Sequence, residues 1–141
     1  MNVAPDVEVN FEGHEGTMTL TFRPAPSTPV GVACGLVRIT VGRLDAEVRT
    51  LVDADARRLR DELRALMATP TISGMVGFGS VENDLHVSID LNHGKGTITA
   101  KVETDFGDQD GSAQFRLTTD QAALQNTVRQ LDALLRTFPK L

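Results

Sequence analysis

Over much of this chain hydrophobic and polar residues alternate one by one, the period that sends successive side chains to opposite faces of a β-strand. Val7, Val9 and Phe11 alternate with Glu8, Asn10 and Glu12. After Gly13-His14-Glu15-Gly16 the alternation resumes at Met18, Leu20 and Phe22, which predicts a β-hairpin. Pro24, Pro26 and Pro29 then mark a loop, because proline supplies no amide to a central ladder. Val37, Ile39 and Val41, a turn at Gly42, and Leu44, Ala46 and Val48 predict a second hairpin.

From Asp53 the period changes to that of a helix. Ala56, Leu59, Leu63 and Leu66 or Met67 fall on one face, with Asp53 or Asp55 available as the N-cap and Pro70 beyond the end. Four strands are predicted next, at about Ile72 to Glu82, Leu85 to Leu91, Thr97 to Asp105 and Ser112 to Thr118. Their turns fall at Asn83-Asp84, Asn92-His93-Gly94, and Gly107 to Gly111. A final helix spans about Asp120 to Thr137, where Leu124, Val128, Leu131, Leu135 and Phe138 recur at helical spacing. Thr118 and Gln121 have capping-box spacing at its start.

The order strands, helix, strands, helix lacks the regular strand and helix alternation of a parallel sheet. It predicts a single α+β domain over residues 1–141, an antiparallel sheet of about seven to eight strands with both helices on one face. The chain of 141 residues is 40% hydrophobic and 23% charged, in the ordinary globular range. With no Trp, no Tyr and six Phe, stacking platforms for bases are scarce. The net charge of -5 repels a phosphate backbone, so nucleic acid is not an expected partner, and a basic protein is. Neither a secretory leader nor a membrane span is expected, and Cys34 is the only cysteine; together these favour a cytoplasmic location without a membrane partner.

The residues that bear chemistry do not assemble into a known catalytic or metal set. His14, His86 and His93 lie apart, without metal-ligand spacing. His86 and Asp90 share a strand face, but about 13 Å apart along the strand, too far for one to orient the other. Asp105-Phe106-Gly107-Asp108-Gln109-Asp110-Gly111 fails as a calcium loop, since aligning its glycine puts Phe106 at the first ligand position. It reads as an acidic hairpin tip. Gly74, Gly77 and Gly79 reverse the dinucleotide-binding pattern and fit close packing against a helix or a bulge. Gly94-Lys95-Gly96-Thr97 lacks the spacing of a phosphate loop. No cofactor is expected.

A broader polar feature remains. His86, Ser88 and Asp90, then Thr97, Thr99, Lys101 and Glu103, then Gln114, Arg116 and Thr118 alternate with apolar neighbours and should share one exposed face.

The second half resembles the WapI-type immunity proteins, which accompany bacterial polymorphic toxins. The likeness rests on the helix Leu59-Arg60-Asp61-Glu62-Leu63-Arg64-Ala65-Leu66 and on the strands Leu85-His86-Val87-Ser88-Ile89 and Gly96-Thr97-Ile98-Thr99-Ala100-Lys101-Val102. Its most specific part is the ending, Phe115-Arg116-Leu117-Thr118-Thr119-Asp120-Gln121, then Leu124, Leu131, Leu134, Leu135 and Phe138-Pro139. It covers about Ala33 to the carboxyl end, and departs from the family in lacking a tryptophan on the strand before the first helix.

The resemblance implies a protein that neutralises a cognate toxin by tight binding, without catalytic residues. The residues singled out for partner contact are Glu103, Asp105, Asp108 and Asp110 at the acidic tip, and His86 and Asp90 on the polar face. Two other functions are weighed against this: a small ligand-binding protein or enzyme using His86, Asp90 and Lys101, and an oligomerising structural domain.

Overall fold

The computed structural model describes residues 6–25, 32–49, 52–53, 56–68, 74–80, 85–106 and 109–139, with backbone alone at 52–53, 80, 104–106 and 109–112. The elements run β1 (Val7–Glu12), β2 (Gly16–Pro24), β3 (Val32–Val41), β4 (Leu44–Val48), β5 (Val52–Asp53), α1 (Ala56–Ala68), β6 (Gly74–Ser80), β7 (Leu85–Asn92), β8 (Lys95–Phe106), β9 (Gln109–Asp120) and α2 (Gln121–Thr137). The class is α+β and the described strand pairs are antiparallel.

The strands do not form the one sheet that alternation predicts. They divide into a four-stranded sheet ordered β1-β2-β3-β4 and a five-stranded sheet ordered β5-β6-β7-β8-β9. Alternation fixes which way each side chain faces but not which strand pairs with which. After β4 the chain moves to β5, which pairs with β6 and opens a second sheet. Val9, Phe11, Met18, Leu20 and Ile39 of the first sheet and Val76, Phe78, Val87, Ile89, Ile98 and Leu117 of the second are buried in one cluster. The Phe11 and Phe78 rings, one from each sheet, lie 5.9 Å apart.

The two helices pack against each other, α1 beside β6 of the second sheet and α2 beside β1 of the first. The buried face of α2 carries Leu124, Val128, Leu131, Leu134 and Leu135, and that of α1 carries Leu59, Leu63 and Met67. Each such leucine contributes roughly 1.5–3 kcal/mol through burial. Arg60 and Arg64 of α1 reach Asp132 of α2 at 3.3 and 2.6 Å. α2 also runs along the outer edge of β1. There Thr127 Oγ1 donates to the Asn10 carbonyl, 2.8 Å, and the Asn10 amide donates to Gln130 Oε1.

Several boundaries differ from expectation. The N-cap of α2 is Asp120, whose carboxylate accepts from the Ala123 amide at 2.9 Å; such a cap is worth about 1 kcal/mol. Thr118 is still in β9, and its amide and hydroxyl both donate to Glu15. Asp53 belongs to β5, while Asp55 and Pro70 lie outside the described residues, as do the turn at Asn83-Asp84 and the prolines Pro26 and Pro29. The acidic hairpin is much tighter than a loop from Gly107 to Gly111, because pairing continues to Phe106 opposite Gln109. At the β7–β8 turn His93 and Gly94 both have positive φ, 53° and 78°, as a two-residue turn of this hand requires.

Candidate functional site

The outer side of the second sheet is built by register. Met75, Asp90, Thr97 and Thr118 form one row across β6, β7, β8 and β9. Gly77, Ser88, Thr99 and Arg116 form the next, and Gly79, His86, Lys101 and Gln114 the third. The residues between them, Val76, Phe78, Val87, Ile89, Ile98, Ala100 and Leu117, point inward and are buried. Burial of those apolar residues thus fixes the polar ones outward, since a shift of one residue would invert every side chain.

The ten polar residues expected on this face are all there. His86, Asp90, Lys101, Glu103, Gln114 and Arg116 are exposed, while Ser88, Thr97 and Thr99 are half-buried between them. Thr118 is occupied, its amide and hydroxyl turned to the Glu15 carboxylate at 2.8 to 3.0 Å. The hydrogen bonds hold Glu15 below the usual carboxylate range, the Thr118 amide first and its hydroxyl second. That contact ties the β1–β2 turn to β9, where the His14 amide also donates to the Thr118 carbonyl at 2.9 Å. A cleft of about 170 Å³ lies at this junction, lined by Glu12, Gly13, His14, Thr118, Thr119, Asp120 and Ala123.

Charges are distributed unevenly on the face. Lys101 lies 3.8 Å from Glu103. Asp90 accepts the Ser88 hydroxyl at 3.4 Å and has no cationic partner among the described residues, and Arg116 likewise makes no ion pair among them. Beyond Glu103, register sets Asp105 directly opposite Asp110. Asp108 lies outside the described residues. Sequence reasoning missed Met75, 68% exposed at one corner of the face. It sits in a run of apolar and glycine residues that reads as wholly buried, and only its odd register with the outward Asp90 marks it.

The glycines of β6 do pack closely. A Cβ at Gly74 would run into Leu66 Cδ1 on α1, and one at Gly79 would come within 2.9 Å of the Leu85 carbonyl. His86 and Asp90 stand two rows apart on β7, with Ser88 between them. Among the described residues no three His, Cys, Asp or Glu side chains gather as metal ligands. Cys34 is buried, its thiol pushed up to about 11 chiefly by desolvation, which leaves little thiolate at neutral pH. No described helix is long and apolar enough to cross a membrane.

The described residues thus define an α+β protein that offers a broad polar sheet face to solvent. The chain matches the model of the immunity protein WapI-like family over residues 30–139, and it belongs to that family. The match starts beyond β1 and β2 and takes in the whole second sheet and both helices. No curated protein and no solved structure matches the chain. Family membership carries an immunity-type role in general, and points to a non-enzymatic one.

Proposed function

We propose that this protein binds a cognate toxin and neutralises it by tight protein–protein association through the outer face of β6 to β9 and the acidic end of the β8–β9 hairpin. The observation that carries the proposal is the three-row polar face itself, which combines opposite charges on a surface held by a fully buried inner side. Broad faces of mixed charge suit protein partners, whereas small-molecule sites are concave and mostly apolar. At the hairpin end, Glu103 is followed by Asp105 opposite Asp110. An acidic stretch of this kind would attract a basic partner. The expected partner is therefore a basic protein, met in the cytoplasm without nucleic acid or membrane, by a chain that acts as a single domain.

The proposal is tested with the toxic carboxyl-terminal domain encoded by a neighbouring gene. Co-expression with this chain should restore growth, and the purified pair should form a stable complex. Asp108→Asn combined with Asp110→Asn should slow association and flatten its dependence on salt, because acidic residues near a contact mainly steer encounter. Unchanged binding and protection by the double variant would remove the hairpin end from the contact. Turnover of a small compound, lost on replacing His86 or Asp90, would favour the enzymatic alternative instead.

A further inference from the structure

Across the described surface most charged side chains are already matched. Arg23 pairs with Asp6, Arg38 with Asp45, Arg49 with Glu47, Arg58 with Glu62, and Arg60 and Arg64 with Asp132. Asp90 and Arg116 on the outer face of the second sheet, like Glu8, Glu12, Arg43 and Lys95 elsewhere, make no ion pair among the described residues, and on the strand beside Asp90 stands an exposed methionine. Met75 is the register partner of Asp90, which sets their Cβ atoms about 5 Å apart. Arg116 lies two strands from β7, one row further along the face.

We infer that Met75, Asp90 and Arg116 are the anchoring patch of the toxin contact: Met75 takes an apolar side chain of the partner, Asp90 a cation beside it, and Arg116 an anion. The inference rests on the outer face being the binding surface. Its chemistry follows from what each group lacks. A flexible thioether is well suited to mould itself to an apolar side chain. Asp90 has only the Ser88 hydroxyl, so a lysine or arginine from the partner would meet a carboxylate not already committed to a cation. Arg116 can present its planar fork to a carboxylate without first giving up another.

The other large exposed hydrophobic residue among those described, Leu44 at 66%, provides a contrast. It heads β4 on the first sheet, on the same side of the strand as Ala46 and the buried Val48. Leu44 therefore has comparable apolar exposure outside the second sheet's outer face, which makes it a control for Met75.

The test measures binding of the purified toxic domain encoded by the adjacent gene to the full chain and its variants. Met75→Asp should weaken binding by about 30-fold or more, the scale of an interface hot spot. Asp90→Lys and Arg116→Glu should each weaken it at least tenfold, chiefly by faster dissociation. Leu44→Asp, which makes the same change outside the patch, should bind as the unsubstituted chain does. Met75 should also lose its reactivity toward peroxide in the complex, a readout that needs no variant. If Met75→Asp binds at full strength, or Met75 oxidises equally in the complex, the patch is wrong although the immunity reading stands. If the unsubstituted chain does not bind the toxic domain, both fall together.

Discussion

The two sheets turn equally buried inner sides toward the shared core, yet their outer sides differ in how they hold an arginine. On the first sheet, Thr17, Thr19 and Thr40 alternate with Glu8, Arg38, Asp45 and Glu47, and the arginine is clamped by Asp45 at 2.6 and 3.0 Å. On the second, Arg116 makes no ion pair among the described residues, and neither does Asp90, beside which Met75 stands exposed. A face that only meets water gains from pairing its charges and from threonines that suit an extended backbone. A face kept open has forgone that small gain, as the contact surface proposed above would require.

The contrast should vanish when the inner sides are attacked. Ile39→Ala and Ile89→Ala, both fully buried, should each lower the unfolding free energy by about 2–5 kcal/mol. Urea unfolding reads this directly. A near-neutral result at either site would mean that the two sheets are unequally supported, and the comparison of their outer sides would lose its basis.

A smaller effect is expected where the sheets join. Glu15 is held below the ordinary glutamate range by the Thr118 amide and hydroxyl, so its native form is the better acid. Its contribution to stability is present above the unfolded-state value, about 4.3, and is lost as pH falls through the lower folded-state value. Glu15→Gln should therefore lower the melting temperature at neutral pH and reduce the acid-side loss of stability. A variant whose melting temperature follows pH as the unsubstituted chain does would show that the carboxylate does not hold the junction.

Below that comes the pair on the first sheet. Arg38→Ala should produce a slight drop in melting temperature that disappears in high salt, because both partners are half exposed. The smallest change belongs to the second sheet. Asp90→Ala and Arg116→Ala should alter stability by no more than about 0.5 kcal/mol, since neither makes an ion pair among the described residues. A clear loss of stability in either would place that residue in the scaffold instead of the contact.

Much of this was legible in the chain. Strict alternation in Leu85 to Leu91 and Thr97 to Val102 set the polar face correctly, because burial of Val87, Ile89 and Ile98 leaves their neighbours no other direction. The split into two sheets was not legible. It depends on β5 pairing with β6 and on Glu15 reaching Thr118 across 103 residues, neither of which leaves a local trace. Glycine and aspartate from Gly107 to Gly111 suggested a five-residue hairpin turn, but the ladder carried pairing on to Phe106 and Gln109. Among Thr118, Thr119 and Asp120, three good capping residues in a row, only tertiary structure decides. Thr118 is used by Glu15 and Thr119 by the Glu12 carbonyl, which leaves Asp120 for the helix.

The contacts from α2 to Asn10 have a consequence for how the protein survives at high concentration. β1 forms one border of the first sheet, and a bare border of this kind invites neighbouring molecules to add strands without limit. Thr127 and Gln130 fill the hydrogen-bonding positions at its centre, so another chain would have to displace the helix before it could attach there. The helix thereby works as a guard against polymerisation along β1, and copies of the protein can accumulate without seeding one another at that border.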